Sequence, residues 1–136
     1  MRTVARETIF KIIFSLQFCE GVDESFKRSM YKMHKLDEDD IKYCDKVLQI
    51  IEQHSAYFSE LLDAHSYSFP EKRIFPADRS IMLIALAEIL YMDDIPYKVS
   101  LNEAANIASK YSSEKSASFI TGVLASISGG ENVQVN

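Results

Sequence analysis

Residues 94–104 constrain the fold of this chain more than any other segment, because they combine a turn with the start of a helix. Pro96 fixes its own φ angle and biases Ile95 toward extended backbone, so a helix that arrives from upstream should end before it. Ser100 and Glu103 have the spacing of a capping box, in which each side chain accepts a hydrogen bond from the backbone N–H of the other residue. The segment therefore predicts two helices joined by a rigid elbow, with the second helix capped by Ser100.

The rest of the chain carries the apolar periodicity of helices, and no segment alternates apolar and polar residues as a strand does. Helices are predicted at residues 2–19, 24–34, from 37–40 to 62, 70–75, 78–91, 101–111 and 113–127. We expect an all-α fold of about six to seven helices in two small packed bundles. Residues 1–136 are read as one domain, with an N-terminal half at 1–66, a C-terminal half at 67–128 and a flexible tail at 129–136.

Apolar residues at helical spacing predict which faces are buried. In the first helix the buried stripe is Ala5, Ile9, Ile12, Ile13 and Leu16. In the short second helix the inward residues are Phe26, Met30 and Met33. The long helix shows the face Ile41, Cys44, Leu48, Ile51, Ser55, Phe58 and Leu62, and one flank adds Val47 and Leu61. Residues 81–91 are apolar on nearly every side and predict a central buried helix, which Asp78 should cap. Ser113 should cap the last helix, which turns inward Ile120, Val123, Leu124 and Ile127.

Composition and motifs argue against several classes of protein. No apolar run is long enough to span a bilayer and the N-terminus lacks a secretory pattern, so a cytoplasmic protein without membrane contact is expected. Cys19 and Cys44 are read as reduced core thiols, and the histidines lack the spacing of metal ligands. No nucleotide-binding, hydrolase or metalloprotease motif occurs. We therefore expect an interaction protein with no catalytic residues, metal, cofactor or small-molecule substrate.

The charge of the chain is unevenly distributed. The net charge of −5 is unfavourable for a protein that binds nucleic acid alone, because affinity for phosphate comes largely from Lys and Arg. Residues 1–36 nevertheless hold seven basic and four acidic side chains, whereas residues 37–66 hold two basic and eight acidic ones. A basic N-terminal surface on an acidic protein is the resulting expectation.

One flank of the first helix combines cations with aromatic rings. Arg2, Arg6, Phe10, Phe14 and Gln17 share one sector of the helical wheel. The two phenylalanines could simply widen the buried core. The same stripe of guanidinium and aromatic groups is also suited to phosphates and stacked bases. The residues alone leave both interpretations open.

Linked motifs in one order carry a resemblance to a known family. They lie at residues 5–7 (ARE), 78–81 (DRSI), 95–99 (IPYKV), 102–104 (NEA) and 119–124 (FITGVL). In order and spacing they resemble the NusB family of transcription antitermination factors, over nearly the whole chain. The resemblance implies two small helical bundles and no catalysed reaction. It further implies that the protein pairs with NusE, a small-subunit ribosomal protein, on boxA-type single-stranded RNA of rRNA operons, within the RNA polymerase antitermination complex.

The resemblance also implies which residues contact RNA. Arg2 and Arg6 match the arginine-rich start of the family and would contact phosphates. Phe14 and Phe119 match aromatic positions near the RNA. Ser118 precedes Phe119 where many relatives carry lysine. Core packing remains the alternative for Phe119.

The resemblance also implies two residues at the contact with NusE. Asp78 matches an acidic position at that contact, with helix capping as its alternative role, and Lys115 lies near the same surface.

The chain departs from the family pattern in having few N-terminal arginines, so we expect weaker RNA affinity and more dependence on the partner. The alternative is a protein-interaction module of the same fold with little or no RNA binding.

Overall fold

The computed structural model describes residues 2–17, 23–66 and 74–131 of the chain. These residues form six helices: α1 (Arg2–Leu16), α2 (Glu24–Met33), α3 (Glu38–His65), α4 (Pro76–Tyr91), α5 (Tyr97–Tyr111) and α6 (Glu114–Glu131). No strand occurs in the described ranges, and the predicted all-α class is confirmed. Their buried apolar side chains form one continuous core that draws on all six helices, while the predicted division at residues 66 and 67 stays a prediction.

Helix α4 lies at the centre of the fold. It contacts α1, α3, α5 and α6, and every residue from 80 to 89 is buried. The predicted central helix is therefore confirmed. Its start differs from the prediction, because Pro76 opens α4 instead of ending a short helix before it. Proline suits the first turn of a helix, where its missing N–H has no partner to lose. Most of the predicted helix at 70–75 lies outside the described residues.

The elbow between α4 and α5 is confirmed, but the predicted capping box is wrong. Helix α5 begins at Tyr97, directly after Pro96, so Ser100 lies one turn inside the helix. There its backbone N–H donates to the carbonyl oxygen of Pro96 at 3.3 Å, and its hydroxyl donates elsewhere. The fixed φ of proline supplies the helix start that the serine was expected to supply.

Helix α3 begins as predicted and buries part of the predicted face. Asp37 caps it by accepting the backbone N–H of Asp40 at 2.8 Å, and this hydrogen bond lowers the pKa of Asp37. In the first half the most buried apolar residues are Tyr43, Cys44, Val47 and Ile50. Of the predicted face there, Cys44 is fully buried and Ser55 is exposed, while Ile41, Leu48 and Ile51 are half-buried and pack against the core. The helix bends at His54, whose φ is −119° and ψ is 19°, and beyond the bend the predicted Phe58 and Leu62 are buried.

The shorter helices give a mixed result. In α1 the predicted stripe is buried except for the half-buried Leu16. In α2 only Met30 of the predicted residues is buried, whereas Phe26 and Met33 are exposed. Ser113 caps α6 by accepting the backbone N–H of Ser116 at 3.0 Å, as predicted.

The last helix also extends beyond its predicted end. Its four predicted inward residues are buried, and the helix continues to Glu131. Residues 129–131 of the predicted flexible tail are therefore helical, and residues 132–136 lie outside the described ranges.

Candidate nucleic-acid interface

A buried cluster of polar side chains, here called the polar junction, joins four helices. Its members are Arg6 of α1, Tyr43 of α3, Glu88 of α4, and Ser100 and Glu103 of α5. Arg6 binds Glu88 through two parallel hydrogen bonds, Nε to Oε2 at 2.7 Å and Nη2 to Oε1 at 3.0 Å. Ser100 donates to Oε1 of Glu88 at 2.7 Å, and the hydroxyl of Tyr43 donates to Oε2. The junction therefore fixes how α1 sits on the central helix.

The charged side chains Arg6 and Glu88 of the polar junction are buried, so the junction stabilises the fold. Arg6 is 4% exposed and Glu88 is 1% exposed, so neither charge is solvated by water. Burial lowers the pKa of Arg6, but the hydrogen bond and charge of Glu88 outweigh that effect, and the pKa is raised above its usual value. Burial, with the nearby charge of Glu88, also raises the pKa of Tyr43. The junction thus holds a guanidinium cation, a neutral phenol and a carboxylate that accepts four hydrogen bonds.

The two arginines of the predicted RNA surface have different environments. The Nη1 of Arg6 donates to Oε1 of Glu103 at 3.1 Å, so its guanidinium faces two carboxylates inside the protein. Arg2 is exposed, and its guanidinium carbon lies 4.5 Å from the centroid of the Tyr43 ring. Of the two, Arg2 is placed where a phosphate can reach it.

A second cluster, here called the aromatic edge, lies where α1 meets the end of α5. It consists of the rings of Phe10, Phe14 and Tyr111. The ring centroids of Phe10 and Phe14 are 6.1 Å apart, and those of Phe10 and Tyr111 are 5.1 Å apart. Phe10 is buried, whereas Phe14 is 37% exposed and Tyr111 is 36% exposed. The inner ring thus supports two outer rings that reach the surface.

Charged groups surround Tyr111. Its hydroxyl donates to Oε1 of Glu7 at 2.7 Å, and the Nζ of Lys110 binds the same oxygen at 2.8 Å. Burial raises the pKa of Glu7, but these two hydrogen bonds outweigh it, so the pKa is lowered. The Nζ atoms of Lys11 and Lys110 lie 5.8 and 5.4 Å from the centroid of the Tyr111 ring. An aromatic surface flanked by ammonium groups is the result.

The other two predicted RNA residues lie in the first half of α6. Ser118 is exposed, and Phe119 is half-buried and packs against the hydrophobic core. Phe119 is thus partly open to solvent, with core packing on its inner side.

Asp78 and Lys115, predicted at the NusE contact, differ in exposure. Asp78 lies in the first turn of α4, is 4% exposed, and accepts hydrogen bonds at 3.1 Å from the hydroxyls of Ser112 and Ser116. It does not cap α4, because Phe75 occupies the cap position, so the expected capping role is wrong. Lys115 is exposed. Asp78 holds the start of α6 against α4, next to the turn that carries Lys115.

Sequence reasoning missed two residues that organise this region. Glu88 interrupts an otherwise apolar helix, and a lone acid on such a helix signals a buried cation, since an unpaired charge is too costly to bury. Tyr111 gave no signal of its own, because a tyrosine at the end of a helix is common on any surface. Both are defined only by side chains distant in sequence.

The structure offers no metal site or membrane helix in the ranges that it describes. No group of three or more His, Cys, Asp or Glu side chains is arranged to hold a metal ion there. None of the described helices is long and apolar enough to cross a membrane. Cys44 is a free thiol in the core, where burial raises its pKa to about 12, and Cys19 lies outside the described residues.

Comparison with known proteins agrees with this architecture. The model of the NusB family matches residues 3–129. The transcription antitermination protein NusB of Agathobacter rectalis is 32% identical over 126 residues, covering 91% of this chain and 96% of the relative. That of Methylacidiphilum infernorum is 31% identical over 127 residues, covering 93% of this chain and 89% of the relative.

Solved structures share the fold at lower identity. NusB of T. maritima superposes with a TM-score of 0.83 at 23% identity, covering 95% of this chain and 91% of that one. A chain from the crystal structure of antitermination factors NusB and NusE in complex with dsRNA superposes with a TM-score of 0.85 at 18% identity, covering 95% and 96%.

Fold and surface together define a class: an all-α protein whose described residues form six helices and carry a half-exposed aromatic edge. With the family match over residues 3–129, the particular family follows, and the chain belongs to the NusB family. The resemblance found in the sequence is thereby confirmed.

Proposed function

We propose that this protein is an RNA-binding transcription antitermination factor that pairs with NusE on boxA-type RNA of rRNA operons, where it suppresses termination. The family match over residues 3–129 carries this proposal. Curated relatives bear the name transcription antitermination protein NusB. The similarity of fold to a chain from a complex of NusB, NusE and dsRNA supports the choice of partners.

The charge of the protein supports a joint RNA site with NusE. A chain with net charge −5 lacks the excess of cations that strong RNA binding requires. Because Arg6 is engaged with Glu88 and Glu103, the described part of α1 presents fewer cations than its sequence suggests. A basic partner would supply the missing positive field, so binding alone should be weak.

We propose different tasks for the predicted RNA residues. Arg2 contacts phosphate, and Phe14 and Phe119 offer ring surface to bases, with Ser118 next to Phe119 as a hydrogen-bonding group. Arg6 acts through Glu88, by holding α1 in place, because its guanidinium is buried. This assignment changes the role that the sequence suggested for Arg6 and keeps the other four.

The NusE contact is proposed around the start of α6. Lys115 is exposed there and suited to a direct contact. Asp78 is buried and bound by Ser112 and Ser116, so it acts by positioning α6.

The test is a titration of labelled boxA-type leader RNA with the protein, with and without NusE, at two salt concentrations. Weak binding alone, much tighter binding with NusE, and a loss of affinity at higher salt are expected. Absence of RNA binding under every condition would contradict the proposal.

The burial of Arg6 also favours the alternative function, a protein-interaction module with little RNA binding. Arg2→Ala separates the two, because Arg2 is exposed and its replacement should leave the fold intact. If Arg2 contacts phosphate, the variant should bind RNA more weakly and the slope of log K against log salt should fall by about 1. Unchanged RNA affinity and slope would favour the interaction module, and NusE binding serves as the control for folding.

A further inference from the structure

The ring of Tyr111 is held in a fixed orientation at the surface. Phe10 packs against it with a centroid distance of 5.1 Å and an interplanar angle of 35°, and Glu7 accepts its hydroxyl at 2.7 Å. These contacts come from α1, whereas Tyr111 ends α5. Since two elements restrain the ring, little conformational entropy remains to be lost when a ligand packs on the exposed part.

The charges around this ring suit an anionic ligand. Lys110 and Glu7 neutralise one another at 2.8 Å, and Lys110 stays 59% exposed. Lys11 adds a second ammonium group 5.8 Å from the ring centroid. Two ammonium groups against the single carboxylate of Glu7 leave one positive charge in excess beside this partly exposed ring, which therefore offers stacking to a base and attraction to an adjoining phosphate.

Position makes Tyr111 continuous with the proposed RNA surface. Phe10 links its ring to that of Phe14 on α1. On the other side, Ser112 follows Tyr111 in the chain and donates to Ser116 of α6 at 2.8 Å. The start of α6, which carries Phe119, thus lies beside Tyr111.

We infer that Tyr111 is a further RNA-binding residue, on whose ring a base of single-stranded RNA stacks, and that Glu7 is a positioning residue that orients this ring. The inference rests on the proposed function and extends its RNA surface from α1 onto the end of α5. Neither the sequence motifs nor the family match assigns this role to either residue.

The experiment uses the complex of the full chain with NusE and a boxA-type RNA that carries the fluorescent base 2-aminopurine, whose emission is quenched by stacking. Tyr111→Leu keeps apolar bulk but removes the aromatic face, and Tyr111→Phe keeps the face but removes the hydroxyl. Tyr91→Leu is the matched control, because Tyr91 is also 36% exposed and packs on aromatic side chains of α3.

Tyr111→Leu should weaken RNA binding roughly tenfold and reduce the quenching, in line with the loss of one stacked base. Tyr111→Phe should stay within about twofold of the wild type, since every aromatic ring offers a stacking face. Tyr91→Leu should bind like the wild type, and all variants should bind NusE equally.

Other outcomes would distinguish a failure of the Tyr111 stacking role from a failure of the proposed function. Wild-type RNA binding that Tyr111→Leu leaves unchanged would overturn the stacking role while the proposed function stands. An equal loss in Tyr111→Phe, or in Tyr91→Leu, would also overturn it, by pointing to the hydroxyl or to general destabilisation. A wild-type complex that binds no RNA would overturn both.

Discussion

Arg6 and Glu7 are neighbours in sequence, yet they belong to different regions of the molecule. Arg6 enters the polar junction, where Glu88 and Glu103 bind it away from water. Glu7 joins the aromatic edge, where it binds Lys110 and Tyr111 near the surface. Buried ion pairs interact more strongly, and cost more to desolvate, than exposed ones. The Arg6–Glu88 pair therefore affects the stability of the fold, whereas the Glu7–Lys110 pair affects the surface around Tyr111.

The comparison teaches that α1 has two tasks along one length. Its junction side ties the helix to α4 and α5 through hydrogen bonds from Arg6 to Glu88 and Glu103, and Tyr43 of α3 donates to the same Glu88 carboxylate. Its edge side presents rings and ammonium groups that a ligand can reach. A rigid attachment on one side keeps the other side in place, which is what a recognition surface requires.

The largest effect is expected when Glu88 is removed from the polar junction. Glu88→Ala leaves the guanidinium of Arg6 buried without its main partner, so the free energy of unfolding should fall by about 3–5 kcal/mol. Urea unfolding followed by circular dichroism measures it. Glu60→Ala, on an exposed part of α3, is the control and should stay within about 0.5 kcal/mol.

A double variant sharpens the first prediction. Replacing both partners, as Arg6→Met with Glu88→Leu, removes the buried charges together and should recover most of the lost stability. A double variant as unstable as Glu88→Ala would show that the junction is not an energetically coupled pair.

Removal of the Ser100 hydroxyl from the polar junction should have an effect of intermediate size on the free energy of unfolding. Ser100→Ala removes one donor from the Glu88 carboxylate, so the free energy of unfolding should fall by about 1.5 kcal/mol. In the Glu88→Ala background the same change should have little effect. An equal loss in both backgrounds would show instead that Ser100 stabilises the fold independently of its hydrogen bond to Glu88.

The smallest effect is expected at the aromatic edge, where Glu7→Gln should lower the free energy of unfolding by about 0.5 kcal/mol at neutral pH. The pKa of Glu7 is lowered by folding, so its contribution is present above the ordinary value of 4.5 and is lost as pH falls through the folded-state pKa. The wild type and the variant should therefore converge in stability at acidic pH below 4.5. A difference that grows with acidification would contradict this assignment.

Much of the fold could be predicted because its signals are local. Residues 81–91 are apolar on nearly every side, which indicated the central helix, and the structure buries residues 81–89. Pro96 marked the elbow, and Ser113 caps its helix as expected. Each of these signals acts within about one turn of helix, where backbone geometry and capping chemistry decide the outcome.

The candidate site was less predictable, since its contacts are distant in sequence. In the structure Phe14 is exposed and Phe119 is half-buried, which agrees with the RNA-binding roles proposed for them. Asp78 had the signal of a cap but is held by serines of the loop before α6 and of α6 itself.

By itself, the sequence determined the all-α class, the placement of the described helices and the membership of the NusB family, because helical periodicity, caps and ordered motifs are properties of the chain alone. Only the tertiary structure decided that Arg6 faces Glu88, 82 positions away, and that Ser100 joins the same carboxylate. It also decided that Tyr111 stands beside Phe10. The physical reason is that packing around α4 sets which polar groups lose water, and those groups must then pair with whatever partners the fold brings to them.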